Sequence, residues 1–410
     1  MKHELSIRVA VRIVLFLAAF GTGPSPAMAG EIVVGMPCSL SGPYQVLGVR
    51  NLQGVRMWAE EVNARGGLQA GSEKRPVKVV WYDDRSDKDT AIHLTERLVT
   101  REKADFLMAP YGSSLTLAAS VVSERRGRLM LCHSAASDRI WSKGYRFLVG
   151  VLTPASLYYQ STLEMLKTLD PPVLTLALIS EDEPFNRSIA GGVRQRAADM
   201  GFRIVLDETY AAHPKDLKPL LAKVKAAGPD AILAASHFLD GVLLARQAAE
   251  MKTGAKFFAL GSAPSTLEWW NTATPSVAAG TAAASQWEPL ERPDPARIEN
   301  WYGPRLTGAQ LNERWKTRWG GPTDFRGVQA YAAGLVLEWA VERAGAFETA
   351  PVRAALDDMD ITTVYGRQKI DPATGIQTGH RMLITQWQDG RNVCVWPPEA
   401  ATGRLVYPRP

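Results

Sequence analysis

Cysteine is scarce in this chain, with Cys38, Cys132 and Cys394 the only three among 410 residues. The odd count rules out complete disulfide pairing in a monomer, whatever the redox compartment. Cys38 and Cys132 fall near the ends of apolar runs, the place of a small packed residue rather than of a ligand or nucleophile. Neither the cysteines nor the six histidines show metal-ligand spacing. H-E-x-x-H, C-x-x-C and G-x-x-x-x-G-K-[ST] are all missing, so no metal or other cofactor is expected. A G-x-S-x-G elbow is missing too, and no Ser-His-acid set can be assigned by spacing. Both absences argue against an exported hydrolase and against an enzyme in general. Charge of one sign is not in excess: the net charge is +5, and basic clusters are as short as Arg125-Arg126-Gly127-Arg128. Such a cluster is read as a solvated helix end, and no nucleic-acid partner is expected. Beyond the N-terminus, no apolar run approaches the ~20 residues that span a bilayer.

What is present begins with an export signal. Lys2, Arg8 and Arg12 precede the apolar run Ile13–Phe20, and Ala27-Met28-Ala29 offers a small-x-small cleavage site before Gly30. Residues 1–29 therefore read as a cleavable secretory signal peptide. Cys38 follows Gly35-Met36-Pro37, which is not a lipidation context. The mature protein is expected to be periplasmic and soluble, with no membrane insertion after cleavage. Its length suits two domains, and its composition, 46% hydrophobic and 22% charged, suits an ordinary globular core.

Along the mature chain, short β-branched runs alternate with amphipathic segments of helical period. Strands are expected at 31–36, 77–82, 105–109, 129–132 and 145–151, then at 174–180, 202–208, 231–235 and 256–260. Helices are expected between them, several ending at glycine, as at Gly66-Gly67, Gly201 and Gly228. Alternation of this kind means βαβ units, hence an α/β fold with two doubly wound parallel sheets, roughly 31–150 and 151–280. Beyond Gly280 the pattern changes: Thr281–Trp287 reads as an extended crossover, 292–304 as a surface excursion rich in Pro and charge, 309–319, 328–344 and 351–356 as helices, and 363–410 as short strands and turns.

In open parallel sheets, ligands bind outside the C-terminal strand ends. That rule selects the loops Ser39–Tyr44, Pro110–Ser114, His133–Asp138, Glu181–Asn186, Ser236–Phe238 and Gly261–Pro264. Tyr111-Gly112-Ser113-Ser114 is the strongest candidate. Free N–H groups at a helix start favour an anion, and the hydroxyls of Ser113 and Ser114 can donate to a carboxylate; one of them can equally be a mere N-cap. His133 can donate to an anion, and the small residues after it allow close approach of a ligand to the backbone. Tyr44, Tyr111, Trp141, Phe185, Phe238 and Trp287 are aromatic residues near these loops that can wall in an apolar solute. Glu181-Asp182-Glu183 can balance an ammonium or simply be solvated.

These motifs together resemble the branched-chain amino-acid (leucine/isoleucine/valine) binding protein family, type I periplasmic solute-binding proteins of ABC transporters. The resemblance is carried by Ser39-Leu40-Ser41-Gly42-Pro43 with Gly48, by Glu61-Val62-Asn63-Ala64-Arg65-Gly66-Gly67-Leu68, by Val79-Val80-Trp81-Tyr82-Asp83-Asp84, by Gly112-Ser113, and by Tyr331-Ala332-Ala333. It implies two lobes joined by three crossovers: 30–151 with 281–362, and 152–280 with 363–410. It also implies a small-molecule ligand (amino acid, aromatic or aliphatic carboxylate, or amide) held between closing lobes. The ligand carboxylate would meet Ser113, Ser134 and Ala136, with Phe185 and Phe238 opposite and Ser262 in the neighbouring loop; the permease subunits of the transporter would be the partners. A ligand sensor of the same fold would differ in its partner only. Two departures stand out: Gly261-Ser262-Ala263-Pro264 carries no acid where the family offers one to an ammonium, and phenylalanine replaces tyrosine at the aromatic positions. An unpaired ammonium in a closed cleft is costly, so carboxylates and amides fit these loops nearly as well as an amino acid.

Overall fold

The computed structural model describes residues 30–290 and 299–409. The expected signal peptide, 1–29, and much of the 292–304 excursion lie outside the described residues. Sixteen strands are used below: β1 (Ile32–Cys38), β2 (Leu68–Ala70), β3 (Glu73–Arg75), β4 (Val77–Asp83), β5 (Phe106–Met108), β6 (Met130–Cys132), β7 (Leu148–Gly150), β8 (Thr175–Glu181), β9 (Arg203–Tyr210), β10 (Ala231–Ala235), β11 (Phe257–Ala259), β12 (Thr281–Ser285), β13 (Asp360–Thr363), β14 (Gly366–Lys369), β15 (Leu383–Gln388) and β16 (Arg391–Trp396).

Two sheets organise the molecule. The first runs β4-β1-β5-β6-β7 and is parallel throughout. The second runs β16-β15-β12-β11-β10-β8-β9; its strands from β8 to β12 are parallel, and β15 and β16 add an antiparallel edge. The central strands β5, β6, β10 and β11 are buried at every residue, as strands covered by helices on both faces must be. The fold class expected from the alternating pattern is the one present. β2 and β3 form a small hairpin that the pattern did not reveal, because three-residue strands carry almost no periodic signal.

Thr281–Ser285 differs from expectation. It is extended, but it is a strand of the second sheet, paired in parallel with β11 and antiparallel with β15. Its Ala282-Ala283-Ala284 core is small enough to lie fully buried between two neighbours, and the passage to the first sheet begins only at Gln286.

The first sheet is completed by chain from far downstream. Helix Phe325–Ala344 is buried on nearly every face and packs on helix Gln45–Ala64. The crossing is close because glycine sits at the contact: a Cβ on Gly54 would lie 2.1 Å from the Gly327 carbonyl oxygen, and one on Gly334 would lie 2.1 Å from the Trp58 ring.

The chain passes between the sheets after β7, after β12 and before β15, and these passages are tied to one another. Gln286 Oε1 accepts from Thr153 N (3.3 Å) and from the Tyr365 hydroxyl (3.0 Å), and Gln286 Nε2 donates to the Tyr158 hydroxyl (2.9 Å). The Thr153 hydroxyl meets His380 Nδ1 at 2.9 Å, and the His380 ring stacks on Tyr365 with centroids 4.6 Å apart. All five side chains are buried.

Candidate functional site

The loops that leave the C-terminal strand ends of the two sheets face and touch each other. In the first half, the loop after β1 is clamped by the two acids at the end of β4: Leu40 N and Ser41 Oγ donate to Asp83 (2.9 and 2.7 Å), and Ser39 Oγ donates to Asp84 (2.7 Å). Gly42 turns there at φ 79°, where a Cβ would meet the Arg85 carbonyl oxygen at 2.6 Å. The motif therefore builds a rigid rim. After β5, Gly112 at φ 83° starts helix Ser113–Arg126 without a side-chain cap. Ser113 Oγ instead accepts from the backbone N–H groups of Ala136 (3.3 Å) and Ser137 (3.1 Å), joining the loops after β5 and β6. Ser134 Oγ donates to Asn51 Oδ1 and accepts from Gln329 Nε2, both at 2.8 Å, and it meets His133 Nδ1 at 2.9 Å. Burial lowers the His133 pKa to about 3, so its ring is neutral.

Several contacts bridge the two rims. Ser114 Oγ donates to Glu183. Ser137 Oγ donates to the Pro184 carbonyl oxygen at 2.9 Å. Arg50 reaches Glu268 with both terminal nitrogens (3.1 and 2.5 Å) and Asp324 with one of them (3.2 Å). Arg326 donates to Asp324 (3.2 Å) and across the gap to the Ser262 carbonyl oxygen (3.0 Å). An aromatic cluster closes the mouth: His237 lies 5.3 Å from Tyr44, 6.4 Å from Tyr111 and 5.8 Å from Phe185, centroid to centroid. Burial lowers the His237 pKa to about 4, so this ring too is neutral.

These walls enclose a cavity of about 20 Å³, room for about one water, so a solute enters only as the rims part or side chains rotate. Of the residues singled out from sequence, Tyr111, Gly112, Ser113, Ser134, Ala136, Phe185 and Ser262 line the cavity. Tyr44, Ser114, His133 and Phe238 do not. Tyr44 and Phe238 pack in the apolar cluster beside it, Ser114 spends its hydroxyl on Glu183, and His133 lies buried behind Ser134. Leu152, Tyr158, His237, Phe325, Arg326 and Gln329 complete the lining; of these only His237 stands in a loop selected from sequence, Ser236–Phe238, and there the sequence points to Phe238 in its place. The first helical turn after Asp324 could be read as a capped helix start, since Asp324 Oδ1 accepts from Arg326 N at 3.0 Å; nothing local shows that this turn faces the other lobe.

The acidic run Glu181–Glu183 divides three ways. Asp182 pairs with Arg187 on the surface and Glu183 sits at the rim. Glu181 is buried behind His237, accepting from His237 N (2.7 Å) and Asn186 Nδ2 (3.0 Å). Burial, reinforced by the neighbouring Asp240 and Glu183 carboxylates, pushes its pKa up to about 8. No group of three or more His, Cys, Asp or Glu side chains among the described residues is arranged to hold a metal ion.

The family model described as "Periplasmic binding protein" matches residues 31–392. The chain belongs to that family. Among relatives of this periplasmic binding protein, the Leu/Ile/Val-binding protein homolog 7 of Brucella abortus is 29% identical over 97% of this chain and 99% of its own length. Among solved structures, the branched-chain amino acid transporter substrate binding protein LivJ from Streptococcus pneumoniae, in complex with isoleucine, superposes with a TM-score of 0.75. It is 20% identical, covering 92% of this chain and 99% of LivJ. An ABC-transporter solute binding protein from R. palustris, in complex with benzoate, superposes with a TM-score of 0.74 at 18% identity, covering 92% and 98% of the two chains. The type I fold expected for this periplasmic binding protein is thus present, while the ligands in those two structures differ from one another.

Proposed function

We propose that this protein is the periplasmic solute-binding component of an ABC-type importer, holding a small carboxylate-bearing molecule between two lobes and presenting the closed form to the permease subunits. The observation that carries the reading is the convergence of loops from both sheets on one enclosed cavity, bridged by contacts that exist only while the rims meet. A solute that adds its own contacts to both rims favours the closed form, which is how binding becomes a shape that a membrane partner can recognise. The lobes are taken as 30–151 with 286–362, and 152–285 with 363–410, the boundary at 285 following the strand pairing of β12. Residues 1–29 act as the export signal. The role proposed is binding without turnover: Ser113 Oγ accepts from two backbone N–H groups, which suits a serine that fixes a loop better than one activated as a nucleophile.

Native mass spectrometry of the mature protein, with a thermal-shift screen against amino acids, aromatic acids and amides, tests this reading. A retained small molecule, or a stabilisation that saturates with one compound class, is the expected result. A folded protein that carries nothing and responds to nothing in the panel defeats it.

A further inference from the structure

Resting on that binding reading, we propose that Arg326 is the specificity-determining residue and selects a flat monocarboxylate without an ammonium group, one bearing a hydroxyl or N–H donor, over an amino acid. Arg326 stands in the first turn of helix Phe325–Ala344, is 2% exposed and lines the cavity. A guanidinium carries five N–H donors in a planar fork; its bonds to Asp324 and to the Ser262 carbonyl oxygen engage two of its nitrogens, the Tyr111 hydroxyl is a further neighbour within its reach, and donors remain for a ligand. Its counter-charge is shared, because Asp324 also accepts from Arg50. Two guanidiniums therefore hydrogen-bond to one buried carboxylate. Of the other acids nearby, Glu268 lies on the far side of Arg50 with its side chain 37% exposed, and burial pushes the Glu288 carboxyl up to about 8, so it supplies little counter-charge to Arg326 near neutral pH. A carboxylate arriving in the cavity completes the fork with short charge-assisted hydrogen bonds.

An ammonium finds no such partner. No carboxylate is among the lining residues. Glu183 is engaged by Ser114, and Glu181 lies behind His237, whose backbone N–H it accepts. What the cavity does offer a donor is an amide oxygen: Gln329 Oε1 is buried without a hydrogen-bond partner among the described residues, one turn along from Arg326 and on the same face of the helix. Beside the small residues of the loops, the wall carries the rings of Tyr111, Tyr158, Phe185, His237 and Phe325, with Phe185 edge-on to Tyr158 at 5.0 Å, surfaces against which a planar apolar body can pack once the rims part to admit it.

The test uses the mature protein in calorimetric titrations with 4-hydroxybenzoate, 4-hydroxybenzamide, leucine and phenylalanine. On the unmodified protein the acid is expected to bind about a hundredfold tighter than its amide and than either amino acid, the size expected when a buried charge loses its partner. Arg326→Gln is expected to remove that hundredfold for the acid and leave the amide within a few-fold, while Arg326→Lys keeps part of the preference. The comparison on unmodified protein stands even if Arg326→Gln does not fold. Equal affinity for acid and amide overturns the inference and leaves solute binding intact. So does leucine or phenylalanine binding as tight as that of the acid, or a folded Arg326→Gln that still prefers the acid. Silence towards all four compounds, together with no retained molecule in native mass spectrometry, overturns solute binding itself and this inference with it.

Discussion

Gly191 and Gly192 are neighbours in helix Pro184–Ala197 and make opposite demands on a side chain. A Cβ at Gly191 meets nothing within 4 Å, whereas one at Gly192 would lie 1.8 Å from the Ser156 carbonyl oxygen. Gly191→Ala is expected to stabilise the protein by about 0.5–1 kcal/mol, because alanine loses less backbone freedom in a helix. Gly192→Ala is expected to cost about 1–3 kcal/mol through forced displacement of the crossover backbone. Urea midpoints of the two variants settle both signs. Ser113 is a second case of one atom serving two loops. Ser113→Ala leaves the N–H groups of Ala136 and Ser137 without their acceptor and is expected to cost about 1–3 kcal/mol in the same measurement. Glu181 adds a pH dependence. Its carboxyl is pushed up to about 8 by burial, against about 4.3 for glutamate in an unfolded chain. The folded protein thus keeps a proton that the unfolded chain has released, so this contribution to stability is complete below about pH 4 and is lost as the pH rises towards 8. Glu181→Gln, uncharged throughout, should flatten that decline; a difference between variant and parent that stays constant from about pH 5 to 8 would contradict the assignment.

Among the elements, the crossovers and the helix pair of the first lobe carry the architecture. The Gln286 amide satisfies partners from two other passages at once. Gln286→Ala strands Thr153 N–H and two tyrosine hydroxyls in a buried place, at an expected cost of about 2–4 kcal/mol if two to three such groups are left unpaired. Chemical denaturation measures the loss, and a variant as stable as its parent would show that water fills the gap. Most elements were legible beforehand: β1, β4, β8 and β10, and the helices that end at Gly66-Gly67 and Gly228, fall within a few residues of their expected places, because a run of buried β-branched residues and a helix stopped by glycine are local properties. Thr281–Ser285 shows the limit. That it is extended follows from its surroundings in sequence, but its sheet depends on β11 and β15 flanking it, and β15 lies about a hundred residues downstream.

For the whole molecule, the opening and closing proposed for solute binding would rest on the few side chains that span the rims. Arg50 holds Glu268 of the opposite lobe bidentately, an ion pair that breaks when the lobes part. Arg50→Ala is expected to weaken solute binding about tenfold, chiefly through faster release, since the pair contributes only to the closed state. Stopped-flow dissociation reads this directly; a change confined to the association rate would place Arg50 in steering the solute rather than in closure.

Chain order alone carried the two-sheet α/β plan, the loops at the strand ends and the serines at the start of helix Ser113–Arg126, because periodicity, glycine stops and the parallel-sheet rule all act over short stretches. It did not carry Arg326 or Gln329 into the cavity, and within the loop Ser236–Phe238 it put Phe238 there in place of His237. Which of two adjacent residues looks into a gap depends on the rotation of a helix start, and that rotation is set by packing. A helix from the last third of the chain is pressed onto Trp58 and Gly54, and that packing turns a buried guanidinium towards the facing lobe.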